Sequence, residues 1–296
     1  MVCACIDIGS NTTRLLVAEP ADGRIRELLR QRAFTRIGKG LVSDDSIPDS
    51  KIAEVVEVVA TQVRVARELG SETIRAVATA AIRDAANQDE LTAAIAERCG
   101  IEVHVLTDEE EARLAFVGAT SALDHPPDGD IAVIDVGGAS SEIAIGTNAG
   151  GVRVSSSFRI GSGMLADAYL HCDPPAIGEL NQLRTHIAGT FEGFRLPTPE
   201  LAVAVGGSAT SLRRLVGSVL DHESLERALR ILATTPSERI ARAAEIEVER
   251  ARLLPAGLLI LEEIGDHLGC ALGVGRGGLR EGVIVDTLLT AGWGAQ

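Results

Sequence analysis

Lysine is nearly missing from this chain: Lys39 and Lys51 are the only two, and arginine carries the rest of the positive charge. Positive charge is scarce altogether, with a formal net charge of −14 at pH 7. A surface that binds nucleic acid generically is basic, so a nucleic-acid polymer is not an expected partner. Any anion held here must be met by local devices: helix N-termini, Gly-rich turns, a few arginines or a metal. Arginine suits that work, because its planar fork meets phosphate through two parallel hydrogen bonds. Aromatics are as sparse, one Trp, one Tyr and five Phe, which leaves few options for stacking on a base. No run of about eighteen uncharged apolar residues occurs, so no membrane span is expected. No basic segment precedes the first apolar strand, so no signal peptide is expected either. The five cysteines (Cys3, Cys5, Cys99, Cys172, Cys270) are scattered without CxxC spacing. That argues against a disulfide framework or a zinc site, and suits small buried hydrophobes in a cytoplasmic protein.

What is present is enough for two ordinary domains, with 296 residues and 46% hydrophobic content. Residues 2–8, 13–19 and 24–32 read as a three-strand meander broken at Gly9-Ser10-Asn11 and at Ala21-Asp22-Gly23. Apolar residues at Ile52, Val55, Val56, Val59, Val63 and Ala66 have helical spacing, closed by Gly70. Strand 74–79, helix 89–99, strand 101–106 and helix 107–123 follow. "DHPPDGD" (124–130) is the best linker, so the expected domains are 1–124 and 125–296, with the final helix free to pack back on the first. Strands 131–136, 141–146 and 152–158 then restart the pattern. Helices are expected at 163–171, 175–193, 222–233, 236–243, 256–268 and 279–290, with strands at 201–205 and 270–276. "GGSATS" (206–211) is a Gly-rich turn opening a further helix.

The restart is a repeat. At an offset of 128 residues, Ile6 matches Ile134, Asp7 matches Asp135, Gly9 matches Gly137 and Gly23 matches Gly151. "AVATAA" (76–81) similarly resembles "AVAVGG" (202–207). Two copies of strand, Asp-Gly turn, strand, turn, strand imply two α/β domains related by pseudo-symmetry, with their Asp-Gly turns facing across a cleft. This resembles the actin, Hsp70 and sugar-kinase superfamily.

Taken alone, each hairpin is an ordinary Gly turn. Two in register have a chemical use. A strand fixes the carboxylate, and the glycine lets backbone N–H groups approach a ligand. In "DVGGASSE" (135–142), backbone and hydroxyl donors suit phosphate, while Asp135 and Glu142 offer hard oxygens to Mg²⁺. In "DIGSNTTR" (7–14), Arg14 takes the place of Glu142. One hairpin therefore supplies positive charge to phosphate and the other anchors a cation. "GGSATS" adds a helix N-terminus for an anion. "TDEEEAR" (107–113) opens a helix, with Thr107 and Glu110 or Asp108 and Glu111 as a capping box. Three consecutive glutamates, Glu109–Glu111, exceed what capping needs, so one is a candidate general base. Arg83 is a candidate phosphate clamp.

"DIGSNTTRLLV", "ATAAIRDAAN", "DEEEARLAFVG", "DVGGASSE", "GGSATS" and "LREGVI" occur in this order along nearly the whole chain. Together they resemble the exopolyphosphatase and guanosine pentaphosphate phosphohydrolase family. The resemblance implies two actin-like domains (ribonuclease H-like) and hydrolysis of the terminal phosphate of inorganic polyphosphate, or of the 5′ γ-phosphate of pppGpp, with Mg²⁺ or Mn²⁺. It implies Glu111 as catalytic base, with Asp135 and Glu142 near metal and attacking water and Asp7 a further metal candidate. It places Ser10, Asn11 and Arg14 at the first phosphate turn, Gly137, Gly138, Ala139, Ser140 and Ser141 at the second, Gly207, Ser208, Ala209 and Thr210 at the third, and Arg83 on phosphate. It leaves room for a homodimer. Ala139 departs from the family's usual third glycine. The chain also stops where longer members continue, which points to short polyphosphates. A non-hydrolytic polyphosphate or nucleotide sensor, or an ATP-dependent kinase of the superfamily, are the rival readings.

Overall fold

The computed structural model describes residues 1–40 and 45–293. They form two compact units, 1–122 with 277–293 and 123–276. The first unit begins with strands β1 (Val2–Ile8), β2 (Thr13–Ala21) and β3 (Arg24–Ala33). The short helix α1 (Ile37–Gly40) and the long α2 (Asp49–Glu68) follow, then β4 (Ser71–Ala78), α3 (Ala80–Arg83), α4 (Gln88–Cys99), β5 (Val103–Val105) and α5 (Asp108–Thr120). The second unit runs β6 (Ile131–Val136), β7 (Ser141–Thr147), β8 (Gly151–Phe158), α6 (Ser162–Tyr169), α7 (Ile177–Thr190), β9 (Leu201–Val205) and α8 (Gly206–Val216). It ends with β10 (Val219–Leu220), α9 (His222–Thr234), α10 (Ser237–Ala244), α11 (Val248–Leu268) and β11 (Leu272–Val274). The chain then returns to the first unit as α12 (Leu279–Thr290). Among the described residues, no helix is long and apolar enough to cross a membrane.

The two sheets repeat one topology. The first is ordered β3-β2-β1-β4-β5 and the second β8-β7-β6-β9-β11, with β10 added at the end. In both, the first two pairings are antiparallel and the next two parallel. The correspondence reaches single residues. Gly23 and Gly151, matched by the offset, both take left-handed backbone, φ +77° and +71°. A bulge interrupts β2 between Val17 and Ala18, and β7 between Ile145 and Gly146, the same places in the two copies. A bulge bends and twists a strand locally, so both hairpins inherit the same curvature.

Alternation sorts the first sheet's residues onto two faces. Ala4, Ile6, Ile8, Leu15 and Val17 pack in one core with Ile52, Val55, Val56, Val59, Val63 and Ala66 of α2, the stripe its spacing predicts. Cys3, Cys5, Leu16 and Ala18 face the other way, toward Leu114 of α5 and Leu279, Val283, Ile284 and Leu288 of α12. Glycines bring those last two helices together. A β-carbon on Gly118 would lie 2.0 Å from the Gly278 carbonyl oxygen, and one on Gly282 1.8 Å from that of Leu114.

One helix boundary corrects the sequence reading. The helix expected at 256–268 begins at Val248, with Pro255 inside it. An interior proline costs about 3 kcal/mol. Leu253, Leu254, Leu258, Leu259, Ile260, Leu261 and Ile264 are all buried in the second unit's core, each worth roughly 1.5–3 kcal/mol. Burial outweighs the broken turn several-fold.

Candidate active site

In the first unit the turn after β1 is closed by the Gly9 N–H, which donates to the Thr12 carbonyl at 3.1 Å. This sets Asp7 directly opposite Arg14 across β1 and β2. The Arg14 Nε donates to Thr12 Oγ1 at 2.9 Å, which steadies the guanidinium over the turn. At the tip, the Ser10 carbonyl accepts from Gly38 N at 2.8 Å and the Asn11 carbonyl from Arg36 N at 3.0 Å. Burial pushes the Asp7 carboxyl up; Arg14 and Arg280 pull it down, and Glu281 adds to the rise. Arg280 and Glu281 belong to the "LREGVI" stretch at the start of α12, which thus lies beside Asp7.

The acids at the head of α5 separate by task. Thr107 is the N-cap and Glu110 its capping-box partner, with reciprocal bonds of 3.2 and 2.9 Å. The Thr107 backbone N–H on Glu110 holds that carboxyl below its usual range. Glu109 is exposed. Asp108 pairs with the Arg83 Nη2. Glu111 is buried, 9% exposed, and its Oε2 accepts from Arg83 Nη1 at 3.2 Å, while that nitrogen also donates to the Leu106 carbonyl at 2.7 Å. Asp108 and the Leu106 carbonyl thus lock the guanidinium that aims Glu111.

The second unit builds the same turn. Gly137 N–H donates to the Ser140 carbonyl at 2.9 Å, and Asp135 stands opposite Glu142. Here too a following segment straps the tip: the Gly138 carbonyl accepts from Gly163 N at 3.0 Å and Met164 N at 2.9 Å, and the Gly137 carbonyl from Ser162 N at 2.9 Å. The Gly137 and Gly138 carbonyls are thus drawn onto the first turn of α6. Glu142 is buried, 3% exposed, and its Oε1 accepts from Ser157 Oγ at 3.1 Å. Next to it, Gly206 takes φ +80°, and a β-carbon there would lie 2.2 Å from Asp135 Oδ1. Only glycine lets that carboxylate sit against the start of α8.

A family model described as the Ppx/GppA phosphatase family matches residues 16–291. The chain belongs to this family. "Exopolyphosphatase 2" of Mycobacterium tuberculosis is 29% identical over 309 residues, covering 96% of each chain. "Exopolyphosphatase 1" of the same species is 25% identical over 301 residues, covering 96% of this chain and 87% of that one. A solved Ppx/GppA family member from Aquifex aeolicus superposes with a TM-score of 0.85 at 29% identity, covering 99% of both chains. The two units are thus α/β domains of the actin-like type, as the Asp-Gly repeat led us to expect.

Within that frame the expected residues gather in two sets. Asp7, Ser10, Asn11, Arg14, Arg83 and Glu111 lie in the first unit; Asp135, Gly137, Gly138, Ala139, Ser140, Ser141, Glu142, Gly207, Ser208, Ala209 and Thr210 lie in the second. Some side chains serve the fold. Ser208 and Ala209 are buried, and the Ser208 hydroxyl packs on Gly257 of α11. Thr210 Oγ1 donates to the Gly206 carbonyl at 2.8 Å, and the buried Ser141 Oγ to that of Ile160 at 2.6 Å. Gly206, Gly207 and Ser208 open α8, where a helix leaves its first amides without an intrahelical partner.

Arg250 was not found from sequence. It is buried on α11, and a β-carbon on Gly207 would lie 2.7 Å from its guanidinium carbon. A cation thus lies close against the third Gly-rich turn. No spacing marks it, because it sits in the charged run Glu249-Arg250-Ala251-Arg252 on a helix whose start the sequence misplaces.

For a metal, no group of three or more His, Cys, Asp or Glu that could hold an ion occurs among the described residues; the donor set in the second unit is the Asp135–Glu142 pair. That suits Mg²⁺, which is commonly held by one or two carboxylates together with water and substrate phosphates. The pair is also two like charges directly opposed on neighbouring strands, an arrangement that costs a sheet stability and that a cation relieves. Asp7, the third candidate, stands in the other unit opposite Arg14.

Proposed function

We propose that this protein is an exopolyphosphatase, a phosphoanhydride hydrolase that removes the terminal phosphate from inorganic polyphosphate. The observation that carries the reading is Glu111: a carboxylate buried at the head of α5 and aimed by Arg83. The names of the curated relatives support it. Water attacks the terminal phosphorus in line and Glu111 accepts its proton; the bridging P–O bond breaks and its electron pair leaves on the shortened chain. In the first unit, the amides of the Gly9 turn and the Arg14 guanidinium suit phosphate oxygens. In the second, the amides of the Gly137 turn and of Gly207 suit them equally, and Mg²⁺ or Mn²⁺ held by Asp135 and Glu142 would supply neutralisation of phosphate charge. Arg83 positions the base.

The test is phosphate release from polyphosphate with Mg²⁺ present, wild type against Glu111→Gln. Loss of the base should lower turnover about 10²–10⁴-fold. A fall below about threefold rejects Glu111 as base, and no release by the wild type rejects the hydrolase.

A further inference from the structure

The charged row at the first turn does not stop at β2. Arg32 of β3 stands in register with Arg14, so Asp7, Arg14 and Arg32 share one face of the sheet. Two arginines directly opposed on neighbouring strands repel and destabilise the pairing. In a chain with a net charge of −14, this concentrates scarce positive charge at the phosphate turn. Two residues on, the half-buried Phe34 carries both the Arg32 and the Arg36 guanidinium over its ring, at 5.0 and 5.9 Å from the centroid. Arg36 takes left-handed backbone, φ +49°, and its N–H donates to the Asn11 carbonyl at 3.0 Å. A non-glycine residue rarely adopts that conformation, and here it ties the segment to the tip of the hairpin. In the second unit the equivalent row is Asp135, Glu142 and Ser157. The cationic third position belongs to the first unit alone.

We propose that Arg32, Phe34 and Arg36 form a second binding stretch for a condensed phosphate chain, continuing from Ser10, Asn11 and Arg14 and taking the phosphates beyond those held at the turn. The inference rests on the polyphosphate reading above. Both arginines are exposed residues, and a guanidinium's planar fork suits phosphate oxygens. The Phe34 ring restrains them in advance, which reduces the ordering cost of binding.

The experiment measures binding and turnover of tripolyphosphate and of a long-chain inorganic polyphosphate over a salt series. It compares wild type, Arg32→Gln, Arg36→Gln, the double variant, Phe34→Leu, and Arg24→Gln at the far end of β3 as a charge control. Expected is a loss of long-chain affinity of about fivefold or more for each arginine, far smaller for tripolyphosphate, and a smaller loss for Phe34→Leu. The salt slope of long-chain affinity should fall by about one per arginine removed, as for any polyanion that sheds counterions. Long-chain affinity of the double variant equal to wild type overturns the proposal, as does an equal loss in Arg24→Gln. If the double variant fails to fold, the two single variants decide. A wild type that binds long chains but releases no phosphate sinks the hydrolase reading, while the binding comparison still decides this one. A wild type that binds no polyphosphate overturns both.

Discussion

Gly206→Ala separates the cost of a strained backbone from the cost of a displaced carboxylate. At φ +80°, an alanine pays about 1–2 kcal/mol for left-handed backbone. Its methyl group would also stand 2.2 Å from Asp135 Oδ1. Ordinary contact needs over 3 Å, so Asp135 must retreat by about 1 Å, a misplacement that can cost about 10²-fold in rate. In a unit of roughly 150 residues, 1–2 kcal/mol lowers Tm by about 2–8 °C. Gly217→Ala is the control. Gly217 takes φ +101° and ψ −176°, backbone that is nearly glycine-only and costs about 1–3 kcal/mol for other residues, but a β-carbon there meets nothing within 4 Å. The two variants should lose comparable Tm, while Gly206→Ala alone loses kcat/KM and requires more Mg²⁺ for half-maximal phosphate release. Equal activity in both would show that the position of Asp135 does not govern the reaction.

Asp7→Asn should raise Tm at neutral pH while lowering activity. Burial raises the Asp7 pKa, so between the ordinary aspartate range and the raised native value the native state binds a proton that the unfolded chain has released. Stability falls as pH rises from the ordinary aspartate range through the raised native value. The gain from Asp7→Asn should therefore vanish below the ordinary range; a gain that persists there would mean that something other than ionisation is at work. Gly282→Ala places a methyl group 1.8 Å from the Leu114 carbonyl oxygen, backbone against backbone with no side chain to yield. Overpacking costs about 1–3 kcal/mol, and this should sit at the upper end, read as a lower urea midpoint. Gly178→Ala, with nothing near its β-carbon, should match or exceed the wild type; if the two variants unfold alike, the close approach of α5 and α12 carries no weight.

The hairpins were legible because their instructions are local. An Asp at a strand end followed by glycine specifies both the turn and the side that the carboxylate faces, and period-two alternation then pairs Asp7 with Arg14 and Asp135 with Glu142. At the head of α5 the sequence left two capping boxes open, and the Thr107 hydroxyl's bond to the Glu110 N–H selects one, releasing Glu111 for Arg83. What was illegible depends on tertiary packing. Arg250 reaches the third turn only because α11 crosses α8 at Gly207 and Gly257. The strapping of both turn tips by α1 and α6 involves backbone groups of short helices that side-chain pattern does not mark. The start of α11 was illegible because the burial of seven side chains from Leu253 to Ile264 offsets the interior Pro255, and that burial is invisible before the fold is known.

The repeat explains why the two halves can diverge in chemistry without diverging in shape. Turn closure, bulge and left-handed glycine recur at matched positions, so the backbone delivers side chains at the same three places in each sheet. Across those places one unit writes Asp7, Arg14 and Arg32, and the other Asp135, Glu142 and Ser157. Each row sets two like charges side by side, positive in the first and negative in the second. Neither arrangement favours the bare sheet. An anion would relieve the first row and a cation the second, each within its own unit. Reversing one sign, as in Glu142→Arg, should abolish Mg²⁺-dependent turnover while leaving the β6–β7 pairing able to form, since the first unit shows that the same hairpin accepts an arginine at that place. Turnover retained in that variant would detach the charge rows from catalysis.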